Sequence, residues 1–237
     1  MKRKRSSTRY VKRRKGTPRY YRRYKKKYSR FANNVMNVIR SKAETKYITT
    51  YTTGQAVLHN NYQALLTNMC GTSVGTSQNN RLGDCVQPKG MSIKMWVSNS
   101  SLRKNVIWRL MVIRTPRAEV ASTAPPNFWS PQGQTSNNII DYINTDYYKV
   151  VKQRILHSKD FSTINNDSTN REYSHYIKWW IPLKGTLKYG PTDGAVYPMG
   201  DKYCYSLFVC AYDTALTLST DILGSVASSC RFYFNDF

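Results

Sequence analysis

Residues 90–98 read Gly-Met-Ser-Ile-Lys-Met-Trp-Val-Ser, a strict alternation along nine positions. One set of alternate residues is apolar and consists of Met91, Ile93, Met95 and Val97. The other set consists of Ser92, Lys94, Trp96 and Ser98. A period of two is typical of a β-strand with one face on a core and one face outward. The stretch therefore predicts a half-buried strand.

Similar runs, rich in β-branched and aromatic residues, occur on both sides of this strand. Residues 105–115 are apolar on both faces, which predicts a central strand that ends before Pro116. Cys210 and Cys230 fall in two further runs, where we expect them to act as small buried hydrophobic residues. The remaining strands are predicted at 47–53, 55–60 (separated from the first by Gly54), 147–157, 172–182, 203–213 and 226–235.

The connections between these eight strands differ greatly in length. A short connection at 99–104 contrasts with long ones at 61–89, 116–146 and 184–202. Long crossings between sheets are typical of Greek-key and jelly-roll topologies. We therefore predict an all-β protein: a single eight-stranded antiparallel jelly-roll sandwich, preceded by a disordered basic N-terminal arm. The spacing of apolar residues within 31–41 also allows one short amphipathic helix.

The arm is defined by its composition. Sixteen of the first thirty residues are Lys or Arg, none is acidic, and five are Tyr. Such a segment cannot bury enough apolar surface to offset the entropy lost on ordering, so we expect it to be disordered when alone. We place the arm at residues 1–44 and the jelly-roll domain at 45–237.

Charge is concentrated at the same end of the chain. Residues 1–46 carry a net charge of +18, out of +24 for the whole chain. A dense polycation favours a polyanionic partner, and interleaved tyrosines favour exposed bases, so we expect single-stranded nucleic acid. The candidate nucleic-acid-binding residues are Arg3, Arg5, Arg13, Arg14, Arg22, Arg23, Lys25, Lys26 and Lys27, with Arg81, Lys89, Arg103 and Lys104 on the body. The compact basic clusters Lys2, Arg3, Lys4, Arg5 and Lys12, Arg13, Arg14, Lys15 are candidate nuclear localisation signals.

Catalytic motifs are absent from the sequence. The three histidines stand apart from Cys and carboxylate partners, and there is no phosphate-binding glycine motif, so we expect no enzyme activity, no cofactor and no metal. No apolar run is long enough to span a bilayer, and no secretory signal is visible, so no membrane partner is expected. Aromatic residues in the loop at 125–131 leave two alternatives open: they fold back over their own domain, or they contact another subunit.

Five stretches of the body carry a family resemblance: residues 80–84 (Asn-Arg-Leu-Gly-Asp), 88–96 (Pro-Lys-Gly-Met-Ser-Ile-Lys-Met-Trp), 105–109 (Asn-Val-Ile-Trp-Arg), 112–114 (Val-Ile-Arg) and 231–234 (Arg-Phe-Tyr-Phe). Together with the basic arm, they resemble capsid proteins of small circular single-stranded DNA viruses, the circovirus-like viruses. The arm departs from circoviruses in being rich in Lys and Tyr rather than nearly pure Arg.

The resemblance implies a jelly-roll coat protein, with about sixty copies forming a small icosahedral shell. It implies that the arm lies inside the shell and packages a circular single-stranded DNA genome. The implied partners are that genome, further copies of the chain, nuclear import receptors and a host cell-surface receptor of unidentified type. The implied locations are the virion and the host nucleus. The alternative function is a nuclear shuttle protein that binds and transports viral single-stranded DNA without forming a shell.

Overall fold

A computed structural model describes residues 30–35, 38, 44–77, 79–100, 103, 105–116, 127–131, 133, 135–158, 174–190, 196–199, 204–214 and 218–236. Backbone contacts divide the chain into two units, Met1–Ala43 and Glu44–Phe237. In the first unit, residues 30–35 and 38 are helical, within or beside the helix predicted at 31–41. Among the described residues, no helix is long and apolar enough to cross a membrane.

The described part of the second unit contains strands and no helix. The sheets that they form are called sheet A and sheet B below. Sheet A consists of β1 (Thr45–Leu58), β3 (Cys85–Asn99), β6 (Ser174–Pro182), the two-residue β7 (Leu187–Lys188) and β9 (Ile222–Asp236). Sheet B consists of β2 (Tyr62–Leu66), β4 (Val106–Arg114), β5 (Lys149–His157) and β8 (Tyr205–Asp213).

The strand order identifies the topology. Sheet A runs β1-β9-β3-β6, with β7 beside β3, and sheet B runs β2-β8-β4-β5. All of these strand pairs are antiparallel. The chain changes sheet between β1 and β2, β2 and β3, β3 and β4, β5 and β6, β7 and β8, and β8 and β9. This repeated crossing is the jelly-roll connection pattern. The predicted all-β antiparallel sandwich is confirmed.

The core lies between the two sheets. The inward residues of β3, namely Met91, Ile93, Met95 and Val97, are at most 1% exposed, as their alternation predicts. Trp108 of β4 is fully buried with them. Cys210 and Cys230 are also buried, as expected. Complete burial of each large apolar side chain contributes about 1.5–3 kcal/mol, which makes this layer the main source of stability.

Two strand predictions were wrong in detail. Gly54 does not separate two strands, because β1 continues through it with a shift of register between Thr52 and Gln55. A bulge of this kind absorbs extra residues without ending the ladder. The strand β2 lies inside the predicted long loop 61–89. Its last three residues are all buried, so it lacks the alternation that marks a half-buried strand.

Candidate nucleic-acid interface

Most residues predicted to bind DNA lie outside the described residues. These are Arg3, Arg5, Arg13, Arg14, Arg22, Arg23, Lys25, Lys26 and Lys27 of the arm, and Lys104 of the body. The nuclear localisation residues Lys2, Lys4, Lys12 and Lys15 lie there too. DNA contact by the arm and nuclear import therefore stay predictions that are based on charge and spacing.

Arg81 lies in the connection between β2 and β3 and is fully buried. Its Nη1 donates to the Gly83 carbonyl at 2.7 Å and to Asp84 Oδ1 at 3.1 Å. Its guanidinium lies 4.7 Å from the ring centre of Tyr189, whose hydroxyl donates to the Cys70 carbonyl at 2.7 Å. Burial raises the pKa of this Tyr189 hydroxyl. These contacts favour a role in holding the connection together, and DNA contact by Arg81 stays a prediction.

The other two described candidates have different surroundings. Arg103 contacts two carboxylates: Nη2 lies 2.8 Å from Asp221 Oδ2, and Nη1 lies 3.5 Å from Asp213 Oδ2. Its charge is therefore locally balanced. Lys89 is exposed, and its Nζ donates to Thr45 Oγ1 at the start of β1. An exposed ammonium group is easier for a phosphate to reach than a guanidinium that is already paired, so Lys89 is the better phosphate-binding candidate of the two.

The outer face of sheet B is covered by the connection between β4 and β5. Phe128 is 6% exposed and packs on Phe208 at a ring-centre distance of 5.3 Å. Trp129 meets the Tyr62 ring edge-on at 4.7 Å. The alternative in which the loop aromatics fold back over their own domain is therefore the one observed for these two residues. Burial beneath this layer raises the pKa of the Tyr62 hydroxyl, which donates to the Asn138 carbonyl at 3.2 Å.

One arginine fixes this covering layer. Arg109 of β4 is 7% exposed, and its Nη1 donates to the carbonyls of Asn138 at 3.1 Å, Ile139 at 2.9 Å and Asp141 at 2.8 Å. Its Nη2 donates to Gln153 Oε1 at 3.3 Å. A guanidinium supplies several donors in one plane, and here it satisfies three loop carbonyls together. The contact explains why a cation is buried in a mostly apolar layer.

The outer face of sheet A carries exposed aromatic and basic side chains. Cross-strand pairing places Tyr51, Ser229, Lys94 and Lys178 in one row across the sheet. A second row contains Ala227, Trp96 and Tyr176, and a third contains Thr49, Arg231, Ser92 and Trp180. We call this surface the aromatic-basic face and define it by Tyr47, Tyr51, Lys94, Trp96, Tyr176, Lys178, Trp180, Arg231 and Tyr233.

The rings of this face lie near one another. The ring centres of Trp96 and Tyr176 are 6.3 Å apart, and those of Trp180 and Tyr233 are 5.8 Å apart. Gly90 makes the second contact possible, because a β-carbon at this position would lie 2.5 Å from Cζ2 of Trp180. Alternation in β3 and β6 signals the outward positions, but the sequence does not reveal which strands pair. The face was therefore missed as a candidate site.

Groups for nucleophilic or metal chemistry are sparse in the described part of the chain. No group of three or more His, Cys, Asp or Glu side chains there is placed to hold a metal ion. Burial raises the pKa of the Cys210 and Cys230 thiols to about 12, so neither is a thiolate at neutral pH. Cys85 is the exposed cysteine.

No family model and no curated protein matches the chain. Among solved structures, it is similar to the VP2 subviral particle of infectious bursal disease virus, with a TM-score of 0.32, 11% identity, and coverage of 81% of this chain and 33% of that chain. It is also similar to VP1 of Trichodysplasia spinulosa-associated polyomavirus in complex with GM1 oligosaccharide (TM-score 0.24, 11% identity, 82% and 93% covered). A third structure is black queen cell virus (TM-score 0.20, 11% identity, 82% and 67% covered).

The chain spans a third of the length of the VP2 chain that it matches. At these identities and TM-scores, none of the three similarities supports a functional conclusion. The jelly-roll assignment rests on the strand order of the chain itself.

Proposed function

We propose that this chain is a viral capsid subunit whose jelly-roll body self-assembles into a small icosahedral shell and whose basic arm packages circular single-stranded DNA. The observation that carries the proposal is the segregation of charge: residues 1–46 hold +18 of the total of +24. That segment leads directly into β1 of a jelly roll, an architecture found in viral capsid and lectin domains. The role is structural rather than enzymatic.

Charge arithmetic supports packaging. The first thirty residues carry sixteen basic side chains and no acid. About sixty arms could therefore neutralise roughly 10³ phosphates, the charge of about a kilobase of single-stranded DNA. Such pairing depends on phosphates rather than on bases, so the arm binds with little sequence preference.

The same arm would carry the chain to the genome. The clusters at 2–5 and 12–15 have the density of basic residues that import receptors recognise. Recognition by a receptor and binding to DNA use the same charges, so they occur at different times. The proposed locations are accordingly the host nucleus and the virion.

Electron microscopy of the purified full chain, alone and with circular single-stranded DNA, tests the proposal. Closed particles of uniform size are the expected result. Deletion of residues 2–30 should leave a folded β domain and remove most of the salt-dependent DNA binding. Replacement of Arg22 and Arg23 by Lys is the matched control, since it keeps the charge. A chain that binds DNA but stays without shells under all conditions would support the shuttle alternative and contradict the capsid role.

A further inference from the structure

We propose that the aromatic-basic face of sheet A is a second binding surface for single-stranded nucleic acid, in which bases stack on its rings and phosphates contact its cations. This inference deepens the proposed function, and it rests on that function for the identity of the strand as DNA. The arm would supply charge, and this face would supply contact with the bases.

The first observation is the exposure of large rings on a regular sheet. Tyr51 is 71% exposed, Tyr176 is 57%, Trp96 is 51% and Trp180 is 49%. The outer face of sheet B also carries an aromatic residue, Phe208, but the covering loop buries it completely. Clustered exposed apolar surface of this kind marks a binding site more often than a solvated surface.

The second observation is a cleft above the central strand. Ala227 and Ser229 of β9 form its floor, while Tyr51 of β1 and Trp96 of β3 form its sides. Its volume is about 300 Å³. Because neighbouring strands are about 4.8 Å apart, β1 and β3 are separated by roughly 10 Å across β9. The small side chains of β9 therefore leave room for a planar base between the flanking rings.

The third observation is unbalanced charge. The strands β1, β3, β6 and β9 contain a single acidic residue, Asp236, whose Oδ2 contacts Lys46 Nζ. On the aromatic-basic face, Lys94 stands directly opposite Lys178. Like charges opposite each other destabilise a sheet. A bound phosphate would remove this repulsion, because it places a negative charge between the two ammonium groups.

These features favour a nucleic acid over a second copy of the chain. Two copies that met through this face would bring their cations together, and the strand residues that define the face include no acid to compensate. They also favour a single strand over a duplex, because only unpaired bases expose a ring for stacking. Stacking of this kind tolerates any base sequence, because every base has a ring face. We therefore expect this face to bind single strands with little sequence preference.

Fluorescence anisotropy with a labelled oligothymidine tests the inference on the full chain. The titration is run at about 0.5 M salt, where binding through exposed Lys and Arg alone is strongly weakened. Binding should persist and should quench tryptophan fluorescence. Trp96→Leu should weaken affinity by about tenfold, the effect of losing one stacked base. The control is Tyr142→Ala, because Tyr142 is 82% exposed and lies in the connection between β4 and β5, which covers the outer face of sheet B.

Three results would overturn the inference. The first is loss of all binding at raised salt, and the second is equal affinity for Trp96→Leu and Tyr142→Ala. The third is a Trp96→Leu chain that binds oligothymidine normally but no longer forms particles, which would make the face a subunit contact. In the first two cases, shells and arm-dependent binding at low salt could persist, so the proposed function would stand. Circular dichroism on both variants checks that the sheet is intact.

Discussion

The Nζ atom of Lys46 lies 3.1 Å from Oδ2 of Asp236, which ties the second residue of β1 to the last residue of β9. Both side chains are nearly buried, with 8% and 4% exposed. The same carboxylate oxygen accepts the Leu82 backbone N–H, and Lys46 Nζ also donates to the Asn80 carbonyl at 3.1 Å. One ion pair therefore joins both ends of the body to the connection between β2 and β3.

Replacing Asp236 by Asn should destabilise the body by about 3 kcal/mol, because it leaves the Lys46 ammonium buried without a counter-charge. The double variant Lys46→Met with Asp236→Asn should recover part of that loss, since no buried charge remains. Urea denaturation of the single and double variants measures the difference. A single variant as stable as the unmodified chain would show that the pair is solvated.

Gly224 should not accept a side chain. A β-carbon there would lie 2.1 Å from the Ser98 carbonyl oxygen and 2.9 Å from Cα of Asn99, so β9 and β3 would have to separate. We expect Gly224→Ala to lower stability by at least about 2 kcal/mol, a typical cost of overpacking. Gly54→Ala is the control, because its β-carbon would meet only Ser225 atoms at 4.0 Å. Thermal unfolding of the two variants should differ clearly, and equal midpoints would contradict the close approach.

Arg109→Leu should release the layer that covers sheet B. Three loop carbonyls lose their donor, and an unsatisfied buried polar group costs about 1–3 kcal/mol. Hydrogen exchange should accelerate at residues 137–148 with little change in sheet A. Arg154→Leu, at an exposed position of β5, removes the same charge and serves as the control. Identical exchange in the two variants would mean that the loop is held by its aromatic contacts alone.

His59 should make stability depend on pH. Burial lowers the pKa of His59 below its ordinary value, an effect that Arg103 adds to and that Asp213 and Asp221 oppose. The unfolded chain therefore binds the proton more readily than the folded chain does. The contribution of His59 to the free energy of unfolding should therefore be constant above about pH 6.5 and should fall as the pH drops below that value. Protonation also ends the hydrogen bond in which His59 Nδ1 accepts the Asp213 N–H at 3.2 Å.

His59→Asn is the matched variant for this test, because an amide oxygen can accept the same hydrogen bond without titrating. Denaturation midpoints of both proteins between pH 8 and pH 5 give the comparison. The difference between them should appear only on the acidic side. Parallel curves would assign the acid sensitivity to other groups.

Periodicity revealed the fold wherever one side of a strand meets the core and the other does not. The alternation of Met91, Ile93, Met95 and Val97 predicted β3 correctly, and Trp108 lies on a strand buried on both faces, as predicted. The strand β2 was not predicted, because the loop that contains Phe128 covers it and both of its faces are buried. That covering depends on contacts distant in sequence, which periodicity cannot report.

The candidate surface was hidden for the same reason. Lys94 and Trp96 were assigned correctly to the side of β3 away from the core. Their neighbours Tyr51, Tyr176 and Lys178 come from strands that are far away along the chain. Which strand lies beside which is decided by the jelly-roll connections, so the cluster became visible only in three dimensions.

The position of β9 between β1 and β3 has a consequence for synthesis on the ribosome. Thr45 and Asn235, which hydrogen-bond across the first pair, are 190 residues apart in the chain. The strand β1 is therefore synthesised long before β9, the strand with which it pairs. A prematurely terminated product would leave two strands with open edges, and open edges promote aggregation. Sheet A can close only after β9 has been synthesised, so this layer forms only in chains that contain both β1 and β9.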